Sequence, residues 1–481
     1  MTPDREQLVA QIAEEVIARL RERVGPPNSF GNGPKAPATD GVFPTVDDAV
    51  AAAREAQARI AVLSIDDLGK AIESIRRICA DRAEELAKME LAETGLGRLD
   101  HKIEKLKLVK NVLGLEAMRS QSRSNPTGVC LIEHAPWGVI GMVLPATHSA
   151  PTLASNAINI LAARNSAIFS PHPAGASVAG TILKLINQEI RRLTGVANAI
   201  VTVEKPSIRT AEEIFRHPGV DLLCVTGGPM VVKAAAKHGK RVIAAGPGNP
   251  PVVVDETACL SLAARSIVKG GGFDNNLLCI GEKEIFVVES VAEAFKEAMK
   301  KNHAFELDAA AIERLANAAF TFEGDGKGCG QAHLKRDLVG KDVSVLAEAA
   351  GVRVPAGTDL LFGETSEDHA FVQEEQMMPF VPMVRVKDID DAIRAAVKAE
   401  HGYRHTAIIH SRNVDNVTKM ARAMNTTLFV QNESCAAALG ADGAGYLSFS
   451  IATPTGEGIT TPMTFTRERQ ITIGSGALRI I

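Results

Sequence analysis

The chain has 481 residues, 46% of them hydrophobic and 23% charged, with a net charge of −4. That length suggests two to four domains with room for a large core, and the composition excludes wholesale disorder. The slightly acidic balance and the 4% aromatic content, with one tryptophan (Trp137) and two tyrosines (Tyr403, Tyr446), exclude a surface built to grip nucleic acid or an anionic membrane.

Asp4–Leu20 reads as an amphipathic helix, with Leu8, Val9, Ile12, Val16, Ile17 and Leu20 on one face. Its acidic residues and lack of an apolar block are unlike a secretory leader. Residues 25–44 hold nine Gly or Pro and form a linker. A tethered helix cannot bury its own stripe, so it packs on its own globule or docks elsewhere. Helices are predicted at Asp47–Ile60, Ile65–Met89 and His101–Leu115. Strands follow at Val129–Glu133 and Trp137–Val143, a helix at Thr152–Leu161 and a strand at Ser166–Ser170. Then come helix Ala176–Leu193, strand Ala199–Val203, helix Arg209–Arg216, strand Leu222–Val225 and helix Pro229–His238. This alternation predicts βαβ units and a parallel sheet. The uncharged run Ala135–Ala163 has the length of a membrane span, but Pro136, Pro145, Pro151, His148, Asn156 and Asn159 interrupt it, so a buried strand, loop and helix are expected. A second α/β stretch runs from about Pro251 to Met424, and Met463–Ile481 reads as an extended strand pair.

Seven cysteines, an odd count with no C-x-x-C pair, signal neither a disulfide framework nor a cysteine zinc cluster, as in a reducing cytoplasm. Cys279 is the candidate nucleophile. It ends a run of three glycines (Gly270–Gly272), Phe273 and the polar residues Asp274–Asn276, a loop that would present a thiol rather than pack it. Cys329, in the Gly-rich segment 324–330, is its rival, and that segment is either a phosphate cradle or a surface loop. Cys79, Cys130, Cys224 and Cys259 lie in apolar contexts. Thr226–Gly227–Gly228 after a strand is either a pyrophosphate cradle with free N–H groups or a structural turn. His401, His405 and His410 could suggest a metal, but the strand at Thr406–His410 scatters them and no further ligand completes a set, so no metal is expected.

Residues Phe273–Glu284, together with Phe169–Pro173, Ala244–Pro251 and His401–His410, closely resemble motifs of the CoA-acylating aldehyde dehydrogenases. They look like those of the propionaldehyde and acetaldehyde dehydrogenases of bacterial microcompartments for propanediol and ethanolamine use. The resemblance covers residues 45–481 and implies an α/β aldehyde dehydrogenase fold. A Rossmann-like cofactor domain would span 45–243, with 121–134 in a β oligomerisation arm. The α/β catalytic domain would span 244–440, and 441–481 would hold a return segment and the arm's last strands.

The same resemblance implies a mechanism. Cys279 attacks a short aliphatic aldehyde, propionaldehyde before acetaldehyde. The Cys279 N–H and Thr147, where hydrolytic relatives carry asparagine, stabilise the oxyanion. NAD takes a hydride, and coenzyme A then accepts the acyl group. Ala244 stands where hydrolytic relatives keep a water-activating glutamate. The cofactor residues would be Ser170, Pro171, His172, Thr226, Gly227, Gly228, Ala244, Gly246, Glu375 and Met377. Ser170–Pro173 replaces a K-P-S-E motif, Glu375 matches the nicotinamide-ribose glutamate, and His148 replaces the asparagine that often follows the threonine. Residues 1–24 would be an encapsulation peptide that docks a homo-oligomer, dimer or tetramer, on a shell protein. The rival readings are a hydrolytic dehydrogenase making the free acid and a non-catalytic scaffold.

Overall fold

The computed structural model of the protein describes residues 40–323, 331–441 and 443–475. The helix expected at 4–20, linker residues 25–39, Cys329 with segment 324–330, and residues 476–481 lie outside them. The end of the linker is structured: Val42–Phe43 forms a strand beside Thr202 and Val203.

Six parallel strands make the first sheet, in the order Val42–Phe43, Ile200–Val203, Ser166–Pro171, Val139–Leu144, Leu222–Thr226 and Val242–Ala245. After Val139–Leu144 the chain builds outward on one side, then returns to place Leu222–Thr226 on the other. That reversal opens a crevice at the carboxyl edge, where doubly wound sheets bind ligands. A boundary at 243/244 falls inside strand Val242–Ala245, which pairs along Leu223–Thr226.

The second sheet has seven parallel strands, in the order Ala304–Glu306, Leu360–Glu364, Phe380–Val386, Glu284–Val288, Pro251–Val254, Thr406–His410 and Leu428–Gln431. Only residues 246–250 separate strand Val242–Ala245 from strand Pro251–Val254. The crevice at the carboxyl edge of the first sheet therefore leads, through these five residues, to the amino edge of the second. A third, antiparallel sheet joins Gln121–Asn125, Gly128–Pro136 and Thr466–Ile473. Among the described residues the tail holds one strand, Thr466–Ile473, preceded by a 3-10 turn at Pro462–Phe465.

The helix expected over Ile65–Met89 is two, Ile65–Asp81 and Ala83–Thr94, broken at Arg82, where no Gly or Pro marks the break. The second of these spaces two carboxylates one turn apart for separate tasks. Glu93 accepts the N–H groups of Ser177 and Val178 at 2.8 and 2.9 Å, closing the start of helix Ala176–Thr194, and Glu90 accepts Ala150 N–H at 3.1 Å at the start of helix Ser149–Ala162. These are the donors that a helix leaves unsatisfied.

The glycine run before the candidate nucleophile is helical, closing Leu260–Gly272. Close packing explains it better than loop freedom. A methyl on Gly270 would meet Glu282 Oε2 at 2.0 Å, and one on Gly271 or Gly272 would lie 3.1 Å from Val381 or Asp359.

Candidate active site

Immediately after that helix, Asp274, Asn275 and Asn276 are left-handed, with φ of 50, 56 and 59°. Short polar side chains tolerate this region best because they can bond locally or to neighbours. Asp274 Oδ1 accepts Arg98 N–H at 2.9 Å, and Asp274 N–H donates to His101 Nδ1 at 2.8 Å. Asn275 donates to Gly340 O and Asp342 Oδ1, both at 2.9 Å. Asn276 donates to Glu282 O at 2.8 Å. Lys283 then reaches back to Asn276 O and Oδ1, both at 2.7 Å, and to Leu278 O at 3.2 Å. The turn that carries Cys279 is thereby bonded on every side.

Cys279 is half-buried rather than presented. Its surroundings come from the amino edge of the second sheet. A methyl on Gly248 would meet Cys279 O at 2.5 Å and His405 Cγ at 2.9 Å, so only a glycine lets these three segments converge. Burial, with the Glu375 charge adding to it, pushes the Cys279 thiol up to about 12, and Lys283 opposes the shift. Burial likewise raises Glu375 to about 7, against the pull of Lys283. Glu282, wholly buried, rises to about 7 for the same reason while accepting Cys435 N–H at 2.9 Å. His405 is buried and held down to about 4, neutral near pH 7, and its Nε2 lacks a hydrogen-bond partner. Glu375 charges and discharges near neutrality, and its charged form disfavours the thiolate.

The first sheet's carboxyl edge supplies the opposite wall. Thr147 and His148 follow strand Val139–Leu144, and Thr147 Oγ1 lies 2.7 Å from His148 Nδ1. Burial, then Lys105 and Lys102, hold His148 down to about 3, so its imidazole is neutral, and its ring lies 5.8 Å from Phe449. Ser170 and Pro171 end the next strand, and His172 turns outward, its Nδ1 taking Ala174 N–H at 3.1 Å. Ala244 is buried, and its N–H donates to Thr455 Oγ1 at 3.0 Å. A methyl on Gly246 would press Pro454 at 2.9 Å. The Gly-Gly turn offers less than expected: Gly227 N–H is taken by Ala245 O at 3.1 Å and Thr226 Oγ1 by Ser450 Oγ at 2.9 Å. Gly228 caps helix Pro229–Ala236. Met377 has φ of 46° and its carbonyl receives Gly340 N–H at 2.9 Å.

Sequence reasoning missed Lys283, Glu282 and a buried charge set behind Thr147. Lys102 and Lys105 are fully buried beside buried Glu90 and Asp274, and both ammoniums contact Thr147 O, at 3.3 and 3.4 Å. The signal was present, since two lysines one turn apart stand on the face that also buries Leu106. His401 is exposed and contacts Gln373 O, whereas His405 and His410 are buried, and no group of three or more metal-ligating side chains occurs among the described residues.

Residues 36–308 and 358–446 match the aldehyde dehydrogenase family. The chain is 43% identical over 479 residues to the acetaldehyde dehydrogenase (acetylating) of Salmonella typhimurium, covering 99% of this chain and 100% of that protein. Its structure resembles Rhodopseudomonas palustris propionaldehyde dehydrogenase with bound CoA and an acylated cysteine, with a TM-score of 0.87, 42% identity, and coverage of 91% of this chain and 99% of that one. It also resembles a propionaldehyde dehydrogenase from the Clostridium phytofermentans fucose utilisation bacterial microcompartment, with a TM-score of 0.88, 39% identity, and coverage of 92% of this chain and 100% of that one.

A thiol pushed to about 12 predicts a specific pH profile for the ligand-free protein. Iodoacetamide alkylation of Cys279, followed by peptide mass, should rise roughly tenfold per pH unit from 7 to 10, because only thiolate reacts. A plateau at or below pH 8.5 would contradict this environment.

Proposed function

The chain belongs to the aldehyde dehydrogenase family, and from that membership we propose that it oxidises a short aliphatic aldehyde to its acyl-CoA, reducing NAD. The observation that carries the reading is Cys279 at the amino edge of the second sheet with Ala244, buried and carboxylate-free, where a hydrolytic relative keeps its base.

Loss of the thiol proton leaves a thiolate that attacks the aldehyde carbon. The electron pair of the C=O bond moves to oxygen, where the Cys279 N–H and the Thr147 hydroxyl receive it. Preorganised donors of this kind are each worth about 10²–10³ in rate. The cleft residues fit a dinucleotide. Thr226 ends the strand at the sheet's reversal point, Gly246 follows the neighbouring edge strand, and Glu375 and Met377 precede strand Phe380–Val386 of the second sheet. When bound, the nicotinamide ring supplies the hydride acceptor. What remains on Cys279 is a thioester. A positioned general base is worth about 10²–10⁴, and without one at Ala244 water is a poor acceptor. The CoA thiolate attacks the thioester carbonyl, the C–S bond to Cys279 breaks, and the enzyme thiolate is regenerated. Acetaldehyde and propionaldehyde differ by one methylene, worth only ~1–3 kcal/mol in a pocket.

The test is NADH formation from either aldehyde with and without CoA, on wild type and Cys279→Ala. Sustained turnover should require CoA and vanish in the variant. Equal turnover without CoA would overturn the acylating assignment.

The proposal extends to location. Residues 1–24 dock the enzyme, a homo-oligomer assembled through the antiparallel arm, on a microcompartment shell protein. The support is the amphipathic pattern of 4–20 with its Gly/Pro tether, and the exposed edge strand Gln121–Asn125. Deleting residues 1–24 should leave turnover and oligomer mass unchanged but abolish co-purification with shells. Retained packaging would refute the docking role.

A further inference from the structure

Behind the cleft lies a buried ionic cluster that the reaction above does not use. Lys102 and Lys105, on helix Leu99–Leu108, face Glu90 on helix Ala83–Thr94 and Asp274 in the nucleophile turn, and none of the four is more than 1% exposed. Lys105 is ion-paired with Asp274 Oδ2, while Lys102 lies 3.4 Å from Glu90 Oε2 and 3.9 Å from Asp274 Oδ2. Both ammoniums also reach the Thr147 carbonyl, at 3.3 and 3.4 Å. Glu90 continues the bridge to Ala150 N–H at 3.1 Å, just beyond Thr147. A methyl on Gly97 would strike Asp274 Oδ1 at 2.1 Å, so the segment leading into the lysine helix is also shaped around this carboxylate.

Two cations and two carboxylates cancel in charge, yet desolvating them is expensive, and apolar residues of similar volume would often serve stability as well. A lysine offers three donors on one atom, so one ammonium can grip two separate loops at once. One loop ends in the oxyanion-side hydroxyl of Thr147, and the other leads to Cys279.

We propose that Lys102 and Lys105 are positioning residues that fix Thr147 relative to the Cys279 turn by holding the Thr147 carbonyl and the Asp274 carboxylate together. The inference rests on the acylating reading, in which Thr147 stabilises the oxyanion. Misplacing a reacting geometry by about 1 Å can cost ~10²-fold, so the lysines act on steps that build charge on the carbonyl oxygen. Alkylation by iodoacetamide builds no oxyanion and should be indifferent to them.

The test is a double-mutant cycle on the full-length protein, using Lys105→Met, Thr147→Ala and both together. CoA-dependent kcat and Cys279 alkylation rate are measured for each. Lys105→Met should lower kcat by roughly 10²-fold with KM and the alkylation rate within about threefold of wild type. The double variant should be at most about threefold slower than the worse single one, because residues acting as a unit are non-additive. If Lys105→Met does not fold, Lys105→Met/Asp274→Asn removes both charges, keeps an acceptor for Arg98 N–H, and carries the same expectation. Multiplicative losses, alkylation falling in step with kcat, or a Lys105→Met kcat within about threefold of wild type would each overturn the proposal. Absence of CoA-dependent turnover in the wild type would instead defeat the functional reading beneath it.

Discussion

Three consecutive left-handed residues, Asp274–Asn276, are the constraint on which the site depends. Outside glycine such a conformation costs about 1–3 kcal/mol per residue and persists only where surroundings over-determine it. Here the surroundings are Arg98 and His101 on Asp274, Gly340 and Asp342 on Asn275, and Lys283 with Glu282 on Asn276. The partners come from both sides of the cleft. The nucleophile's position therefore reports the assembly of the whole fold rather than a local preference.

The same packing decides the chemistry. Burial raises the Cys279 thiol and the Glu375 and Glu282 carboxyls together and lowers Lys283, so every charge in the cluster is disfavoured and the carboxyls titrate near neutrality. In such a low-dielectric pocket a developing oxyanion feels nearby donors strongly. The pocket also has no carboxylate at Ala244 to activate water. Hydride removal and the retention of thioester energy for transfer to a second thiol follow from one arrangement of side chains.

Much of this was legible in the sequence. The strand Thr406–His410 and the alternation through Pro229 follow from period and turn chemistry. What was not legible is tertiary. The run Gly270–Gly272 reads as a flexible loop but is a helix end shaved to admit Glu282. Gly227 reads as either part of a cradle with free N–H groups or a structural turn, and its pairing with Ala245 in the folded sheet favours the turn. Helix Ile65–Asp81 ends at Arg82 with no breaker residue. Lys102 and Lys105 carry no motif in the sequence, and only helix Leu99–Leu108 shows that their face is buried against Asp274. Apart from the break at Arg82, each of these depends on a contact that only the tertiary fold supplies.

In this mechanism the acyl group waits on Cys279 until CoA arrives. Intact-protein mass after mixing enzyme, aldehyde and NAD without CoA tests this most directly. A single acyl adduct per chain, mapped to Cys279 and removed on adding CoA, is the predicted result. Accumulation of free acid with no adduct would contradict it, and would mean that the buried cluster activates water after all.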